Sequence, residues 1–444
     1  MKLPTTPPSV EALLRRLSTG GAASKILHAQ IDPAPHGRYY HWDKLRRLQP
    51  PAGLSPEGWW LTVKLARRPL LKPLPLADED GRAFLYGFPD IAIQLVHRID
   101  RYASGSIAMA EPVTNPATRS YYLVSSLIEE AITSSQLEGA STTRKVAEEM
   151  IRTGRAPRDR SEKMILNNYH AMNFLRERSR EPLSRDLIFE LHRLVTDDTL
   201  DASDAAGRFR RSGEDIHVVD EMDGVVLHRP PPAKTLEARV RALCAFANQD
   251  EPFVHPVVRS ILIHFWLAYD HPFVDGNGRT ARALFYWSML RQGYWLSEYL
   301  SISRILKKAP IRYARSFLYC ETDDNDTTYF LLSQMDVIIR AVDELHAYLR
   351  RKTSEIQETE TLLRRRRTAN LNPRQTALLS DALKHPEQAY TFESHAQSHM
   401  VSYMTARADL LQLEKLGLLE RVKSGKEFRF FPVAKLLDRL RALP

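Results

Sequence analysis

The spacing of hydrophobic and polar residues predicts a chain that is mainly α-helical. Apolar side chains recur at intervals of three and four residues, the period of an amphipathic helix. The segments that show this period are 121–137, 162–177, 184–200, 236–248 and 328–358. Segment 256–270 is apolar on every side, so we expect a helix that is buried all round. This helix leads directly into His271.

Two short stretches break the helical period and predict a β-hairpin. Residues 216–219 and 225–228 are rich in β-branched side chains. The segment Asp220–Gly224 between them ends in the Asp-Gly pair that is typical of a hairpin turn. Pro230–Pro232 then end the second strand, because proline cannot donate to a β-ladder. On this pattern alone the hairpin is an ordinary surface feature.

The C-terminal segment 373–444 has its own pattern of three helices and a second hairpin. The helices are expected over 374–383, from Thr391 onward and over 401–416, where Gly417 ends the third. Strands are expected over 418–422 and 428–431, around Ser424 and Gly425. This order resembles a winged helix-turn-helix, whose third helix would offer Ser402, Tyr403, Thr405 and Arg407 to DNA. Such modules also bind proteins, so both kinds of partner remain open.

These patterns divide the chain into three predicted domains. Residues 1–110 form a helical region that packs on the core, with a turn at 85–90 that opens a helix. Residues 111–365 form the core, and residues 373–444 form the C-terminal domain. The arginine run 364–367 is read as a solvated linker rather than as a nucleic-acid patch.

The twelve residues His271–Arg282 concentrate most of the candidate chemistry. Gly276 and Gly278 suit a tight turn that opens a helix, and such a turn presents backbone N–H groups to an anion. Arg279 and Arg282 lie three residues apart on one helical face, and guanidinium groups suit phosphate oxygens. Asp275 can hold Mg²⁺, and His271 can accept a proton near neutral pH. The segment therefore predicts a polyphosphate site with a metal and a base.

The same segment matches His-x-Phe-x-Asp/Glu-Gly-Asn-Gly-Arg-x-x-Arg at every fixed position, and so resembles the Fic-domain proteins. The resemblance implies a Fic-type helical core in which the 216–228 hairpin is the flap that holds a target protein by strand addition. It also implies transfer of AMP from ATP to a Tyr, Thr or Ser hydroxyl, with His271 as the base and Asp275 as the Mg²⁺ ligand. The implied ATP-binding residues are Gly276, Asn277, Gly278, Arg279, Thr280, Ala281 and Arg282, with Ser135 and Tyr313 added by approximate family position.

A second motif of the family precedes the first. Ser134-Ser-Gln-Leu-Glu138-Gly139 matches Ser/Thr-x-x-x-Glu-Gly/Asn, the inhibitory motif of many Fic proteins. Ser134 and Glu138 lie four residues apart and share one helical face. By resemblance, Glu138 pairs with Arg282 and occupies the guanidinium that would hold the γ-phosphate. The alternative is that Glu138 is a surface carboxylate at a helix end, without an inhibitory role.

Composition narrows the possible partners only slightly. The chain has 444 residues, a net charge of +9 and two cysteines, Cys244 and Cys320. It has no run of eighteen apolar residues and no apolar leader, so we expect a cytoplasmic protein without a membrane partner. The alternatives are a Fic enzyme with another nucleotide or phosphate-containing donor, and a nucleotide-sensing DNA-binding regulator that binds DNA through 373–444. Self-modification and a homodimer are further expectations.

Overall fold

Helices joined by short loops make up most of the chain. The computed structural model describes residues 1–17, 26, 32–104, 116–220, 223–365, 371–384, 386, 388–424 and 427–442. Within them the α-helices are α1 (Val10–Leu17), α2 (Trp42–Leu45), α3 (Pro56–Arg67), α4 (Asp90–Ile99), α5 (Pro116–Leu137), α6 (Arg144–Thr153), α7 (Arg160–Glu177), α8 (Arg185–Thr196), α9 (Leu236–Asn248), α10 (Pro256–Asp270), α11 (Asn277–Arg291), α12 (Ile302–Lys307), α13 (Pro310–Thr322), α14 (Thr328–Arg365), α15 (Pro373–Lys384), α16 (Phe392–His399), α17 (Tyr403–Lys415) and α18 (Leu436–Ala442). The mainly α-helical prediction is confirmed.

The strands form antiparallel pairs, and each pair is a separate two-stranded sheet. The strands are β1 (Leu71–Ala77), β2 (Ala83–Gly87), β3 (Val218–Val219), β4 (Val226–His228), β5 (Leu419–Ser424) and β6 (Glu427–Pro432). The predicted hairpin 216–228 is present as β3 and β4, with a register shift between Val218 and Val219. Its turn residues 221 and 222 lie outside the described residues.

The chain divides into two compact units. One comprises Met1–Ala108 and Leu123–Asp343, and the other comprises Met109–Tyr122 and Glu344–Pro444. The predicted domain limits at residues 110, 365 and 373 stay predictions, and linker residues 366–370 lie outside the described part. In the described residues, no helix combines the length and the apolar character needed to cross a membrane.

The core of the first unit is built around α10 and α11. Pro256 stands at the start of α10, where a missing N–H costs nothing, and Val257–Leu267 are buried without exception. α11 is buried almost as completely, from Asn277 to Met289 apart from Gly278. Because both helices are buried on nearly every side, they form the centre that positions the loop between them.

The N-terminal hairpin was not predicted, because its sequence reads poorly as a strand. Pro73 and Pro75 lie within β1, and proline is tolerated only where a strand has an unpaired edge. Leu74 and Leu76 are nevertheless buried at the two-residue spacing of a strand. On its other side β2 is held by Asn325, whose carbonyl accepts the Leu85 N–H at 2.9 Å. The region 1–110 is therefore partly β rather than wholly helical.

Local capping explains where several helices begin and end. The Asp159 carboxylate accepts the Glu162 N–H at 2.8 Å, and the Ser184 hydroxyl accepts the Leu187 N–H at 3.1 Å. The helix predicted to reach Leu200 ends earlier, at Thr196. Asp198 has a φ of 51°, in the left-handed region that no helix interior adopts.

The C-terminal unit has the predicted order of helices and strands. α16 starts with a capping box between Thr391 and Ser394, and β5 pairs with β6 from Leu419 to Ser424. The predicted turn residue Gly425 lies outside the described residues. The Ser402 hydroxyl caps α17 by accepting the Thr405 N–H at 3.2 Å, whereas Tyr403 is half exposed. The likeness to a winged helix stays a prediction.

Candidate nucleotide-binding site

The loop between α10 and α11, residues 271–276, is held in shape by its own side chains. α10 ends because His271 adopts a left-handed φ of 44°. Asn277 then closes the loop, since its side chain accepts the Phe273 N–H and donates to the Phe273 carbonyl, both at 2.9 Å. Gly276 has a φ of 80°, and a Cβ there would lie 2.7 Å from the Thr196 methyl carbon. The Asn277 amide, predicted to contact phosphate, is thus engaged in the loop itself.

The start of α11 presents free backbone donors. The first helical hydrogen bond runs from the Thr280 N–H to the Gly276 carbonyl at 3.0 Å. In the described structure, no acceptor pairs with the backbone N–H groups of Asn277, Gly278 and Arg279, and no side chain caps this end. Unpaired N–H groups at the positive end of a 15-residue helix attract an anion.

A carboxylate from this chain already stands at that helix end. A Cβ built on Gly278 would overlap the Glu138 Oε1 atom and would lie 2.9 Å from the Glu138 carboxyl carbon. Gly278 therefore leaves the space that Glu138 occupies. The anion site predicted for a phosphate is filled by a side chain from the end of α5.

Arg282 is bound by two residues at the end of α5 and just after it, Ser134 and Glu138. Its guanidinium lies 2.9 Å from Glu138 Oε1, and it donates to the Ser134 hydroxyl and the Ser134 carbonyl, each at 2.9 Å. The Arg282 side chain is 2% exposed, so the pair with Glu138 is poorly screened by water. Burial acts to lower the pKa of Arg282, but the nearby Glu138 carboxylate outweighs this effect and raises the Arg282 pKa above its usual value.

Arg279, three residues earlier, has a different set of partners. Its guanidinium donates to the Val195 carbonyl at 2.9 Å and lies 3.5 Å from an Asp275 carboxylate oxygen. Its Nε atom is buried and has no partner among the described residues. Burial lowers the pKa of Arg279 from its usual value. Arg279 thus ties the loop to the end of α8, and one of its donors remains unused.

The His271 ring has one nitrogen engaged and the other available. Its Nδ1 atom lies 3.1 Å from the Ala268 carbonyl, which can only accept, so Nδ1 carries the proton and Nε2 keeps its lone pair. The residue is half-buried, and burial lowers its pKa to about 4. A neutral imidazole with a free Nε2 atom can accept a proton at physiological pH.

Asp275 offers one carboxylate that is accessible to a metal. Its Oδ1 atom accepts the Gly276 N–H at 2.5 Å, and its side chain is 41% exposed. In the described residues no group of three or more His, Cys, Asp or Glu side chains could hold a metal ion. A single carboxylate still fits Mg²⁺, since this ion commonly binds one or two carboxylates together with substrate phosphates and water.

The other predicted contacts lie around the same centre. Ser135 is buried and donates to the Met164 carbonyl at 3.2 Å. Tyr313 lies 2.8 Å from His264 Nε2, and burial raises the Tyr313 pKa to about 12, although the Arg282 charge opposes this shift. The Thr280 hydroxyl donates to the Gly276 carbonyl at 2.8 Å, and Ala281 is fully buried. The structure thus brings Tyr313 near Arg282, and it turns Ser135 toward α7.

Two residues that the sequence did not single out for the site position the loop. His192 accepts the Gly207 N–H at 2.9 Å and donates to the Asp275 carbonyl at 2.8 Å, and its ring stacks on Phe273 at 3.7 Å. Arg210 donates to the His271 carbonyl at 2.9 Å. For His192 the only available signal was a histidine within the apolar face of segment 184–200, next to Leu191.

The flap is short and mostly exposed. Val219 and Val226 are 48% and 37% exposed, and the Asp220 N–H donates to the Val225 carbonyl at 2.9 Å. Its base is anchored by His228, whose ring nitrogens lie 2.9 Å from Glu321 Oε2 and 2.7 Å from the Tyr269 carbonyl. The flap therefore ends beside the last turn of α10, next to His271.

The chain is similar to known proteins in the region that contains this site. The Fic/DOC family model matches residues 182–289, which include the flap and the loop 271–276. Protein adenylyltransferase Fic of Nematostella vectensis is 35% identical over 115 residues, which cover 26% of this chain and 24% of the relative. The protein of the same name from Drosophila virilis is 29% identical over 175 residues, which cover 36% of this chain and 33% of the relative. The chain thus spans about a quarter to a third of these relatives.

A solved structure matches over more of the chain. A Fic family protein from Desulfovibrio desulfuricans G20 superposes with a TM-score of 0.50 and 19% identity, over 77% of this chain and 96% of the other. At this identity the match shows the fold alone. Together with the family match, it shows that this chain carries a Fic domain with the Fic fold and with homology to proteins named protein adenylyltransferase Fic.

Proposed function

We propose that this chain transfers AMP from ATP to a hydroxyl group of a target protein and that Glu138 inhibits the transfer. One observation carries the proposal: the Glu138 carboxylate occupies the anion site at the start of α11 while it pairs with Arg282 at 2.9 Å. A site that holds a carboxylate against free N–H groups and a buried guanidinium is also suited to a phosphate.

The inhibition follows from competition for one position. A terminal phosphate needs the Arg282 guanidinium, which is bound to Glu138 and Ser134. While Glu138 stays there, the triphosphate is displaced and its α-phosphorus is misaligned for attack. Misplacement by about 1 Å can lower a rate by about 100-fold, so a modest displacement suffices.

The imidazole of His271 supplies the proton transfer. Nε2 takes the proton from the incoming hydroxyl, while Nδ1 remains bound to the Ala268 carbonyl. The target oxygen then forms a bond to the α-phosphorus, the bond to the β-phosphate oxygen breaks, and pyrophosphate leaves. The transfer depends on positioning and on charge stabilisation by Arg279, Arg282 and the helix N–H groups.

Asp275 is the residue that would hold Mg²⁺, together with nucleotide phosphates. Bound there, the ion would neutralise phosphate charge during transfer. His192 and Arg279 hold the Asp275 backbone and side chain in place, at 2.8 and 3.5 Å. Gly278 leaves the space that Glu138 now occupies free for a phosphate, whereas Gly276 allows the loop to approach Thr196 and His192 closely.

The flap 216–228 is the proposed holder of the target segment. Each of its strands pairs on one edge only within its two-stranded sheet, so an extended segment can add to the free edge. Modification of the chain's own hydroxyl groups belongs to the same proposal. DNA binding through 373–444, a homodimer and a cytoplasmic location stay predictions.

The test compares variants of the full chain by intact mass and by incorporation of labelled nucleotide. We expect Glu138→Gly to raise AMP incorporation from ATP by about tenfold or more, which corresponds to 1.4 kcal/mol. The matched control is Glu138→Gln, which keeps the shape but weakens the pairing with Arg282, so its effect should be intermediate. Glu138 follows the last residue of α5, so the glycine does not interrupt a helix.

A panel of other nucleoside triphosphates and phosphate-containing donors distinguishes the alternative. An adduct that forms with another donor and not with ATP would replace the adenylyl assignment. Unchanged incorporation in Glu138→Gly would remove the inhibitory role of Glu138, even if AMP transfer itself is observed.

A further inference from the structure

A cavity separate from the candidate nucleotide-binding site lies in the first unit. It measures about 1010 Å³ and lies between residues 37–44, α4, α13 and α14. Among its described lining residues, none belongs to the loop 271–276, to α11 or to the inhibitory segment. We call it the basic groove, because of the cations Arg38, Lys44, Lys308, Arg312 and Arg315 that line it.

Among the described lining residues, the cations of the basic groove outnumber the carboxylates. Asp336 is the one carboxylate among the described lining residues, and it pairs with Arg312 at 3.0 Å. The side chains of Arg38 and Lys44 are exposed, and they have no ion-pair partner in the described part of the chain. Burial lowers the pKa of His41 to about 4, so this lining residue adds no positive charge at neutral pH. Five cations and one carboxylate attract an anionic partner.

One wall of the groove is aliphatic. It is formed by Ile91, Leu95, Pro310, Ile311 and Leu332. The Ile311 side chain is 61% exposed. It therefore presents a large apolar surface beside several cations. An aliphatic wall next to a cationic rim fits a peptide segment with acidic and apolar side chains on opposite faces.

The aromatic residues of the groove are less suited to nucleic acid. Single strands bind by stacking bases on free aromatic faces. The Tyr39 ring already has the Arg67 guanidinium 3.5 Å above it, and the Tyr319 ring stacks on His41 at 4.4 Å. The observations therefore favour an acidic peptide over a single-stranded nucleic acid.

The basic groove and the flap are joined by one helix. Arg312, Arg315 and Tyr319 of α13 line the groove, while Glu321 of the same helix holds the flap residue His228 at 2.9 Å. Arg312 and Glu321 are nine residues apart, about 14 Å along a helix. A single target protein can therefore contact both places at once.

We infer that the basic groove is a docking site for an acidic, amphipathic segment of the target protein, separate from the hydroxyl-bearing segment at the flap. The inference rests on the proposed function only in taking the partner to be the modified protein. Docking at a second place adds affinity without any demand on the sequence next to the modified hydroxyl.

The test measures direct binding, independently of AMP transfer. The probe is a fluorescein-labelled helical peptide with Leu on one face and Glu on the other, titrated with the full chain and followed by anisotropy. We expect saturable binding that weakens with salt, and a loss of at least about tenfold in Arg38→Glu/Lys44→Glu, equivalent to 1.4 kcal/mol. Binding should persist in His271→Ala, so failure of the transfer reaction and failure of docking are distinguishable.

Two further variants make the test specific. Lys72→Glu/Arg180→Glu makes the same change of charge at exposed positions outside the groove, and should leave binding within about twofold. Ile311→Ser should weaken the peptide several-fold, because it removes apolar surface from the groove wall.

Several results would overturn the inference. They are absent or non-saturable binding, equal losses in the two charge variants, and indifference to Ile311→Ser. Preferential binding of oligothymidylate through Arg38 and Lys44 would assign the groove to nucleic acid instead. Self-association of the chain that these two substitutions abolish would assign it to a second copy.

Discussion

Burial lowers the pKa values of His271 in the loop 271–276 and of His192 in α8, whereas at the base of the flap the Glu321 carboxylate raises the pKa of His228. Burial lowers the pKa of His271 and of His192 to about 4, and their acceptors are only backbone carbonyls. Burial also acts to lower the pKa of His228, but the hydrogen bond and charge of Glu321 outweigh it and raise the pKa above its usual value. The two regions meet at the last turn of α10.

The difference fits the role that we propose for each region. A base must be neutral to accept a proton, and the His271 ring is hydrogen-bonded to a backbone carbonyl rather than to a carboxylate. A structural anchor is stronger when charged, because both nitrogens of His228 then donate, one to Glu321 and one to the Tyr269 carbonyl. In the proposed function the same residue type thus acts as a base in one place and as a structural anchor in the other, according to its hydrogen-bond acceptor.

The largest expected effect comes from removal of the loop imidazole. In a Glu138→Gly background, His271→Ala should lower AMP incorporation by about 10² to 10⁴-fold, the range of general base catalysis. Since the His271 pKa is about 4, its titration should not reduce the rate between pH 8 and pH 6. Initial rates of labelled incorporation at several pH values measure both effects.

The control for this prediction is thermal unfolding of the same variant. His271 lies at the end of α10 and its ring makes one hydrogen bond, so its loss should change stability little. Equal incorporation with and without His271, in a folded protein, would contradict its assignment as the base.

A smaller loss is expected at the carboxylate. Asp275→Ala should lower incorporation by about 100-fold, and excess Mg²⁺ should restore it only in part. Asp275→Asn is the matched control, because its amide oxygen can still accept the Gly276 N–H while the charge is removed. Equal losses in both variants assign the effect to charge. Full activity of either variant would show that the metal is held elsewhere.

Loss of His192 should lower the stability of the fold clearly, while its effect on the rate should be smaller than that of losing His271. His192→Ala leaves the Gly207 N–H and the Asp275 carbonyl without a side-chain partner and leaves space beside Phe273, so it should cost about 2 to 4 kcal/mol of unfolding free energy. In the Glu138→Gly background we expect about a tenfold rise in the KM for ATP with a smaller change in kcat.

Urea unfolding and steady-state kinetics test this prediction together. His192→Asn serves as the comparison, since its amide can replace one of the two hydrogen bonds and should recover part of the KM. A kcat loss as large as that of His271→Ala would place His192 in the chemistry instead.

The sequence was sufficient to predict which residues lie together where those residues are close along the chain. His271, Asp275, Gly276, Gly278 and the two arginines lie within twelve residues, so one loop and one helix turn bring them together. The strongly apolar character of segment 256–270 also predicted its burial and the bounds of its helix.

Contacts between segments that are distant along the chain could not be predicted from the sequence in the same way. His192 lies 83 positions from the Asp275 carbonyl that it binds, and nothing local requires that contact. The hairpin of β1 and β2 depends on Asn325 and Thr327 for its second edge, which outweighs the poor strand propensity of Pro73 and Pro75. Such features follow from tertiary packing rather than from a pattern along the chain.

The smallest expected effect is at the flap anchor, and its dependence on pH has a definite sign. The folded-state pKa of His228 is raised, so its contribution to stability is fully present below the unfolded value of about 6.5 and is lost as the pH rises through the folded value. His228→Gln should therefore cost about 1.5 to 3 kcal/mol at pH 6, the value of a hydrogen bond to a charged group, and less at pH 9. For His271 and His192 the pH dependence of the contribution to stability has the opposite sign, because that contribution is lost as the pH falls from about 6.5 toward 4.

Urea unfolding of the intact chain and of His228→Gln across pH 6 to 9 measures the difference in unfolding free energy. Glu321→Gln should abolish the pH-dependent part of that difference. A difference that stays constant over this range would show that His228 is neutral in the folded protein, and the contrast between flap and loop would then be lost.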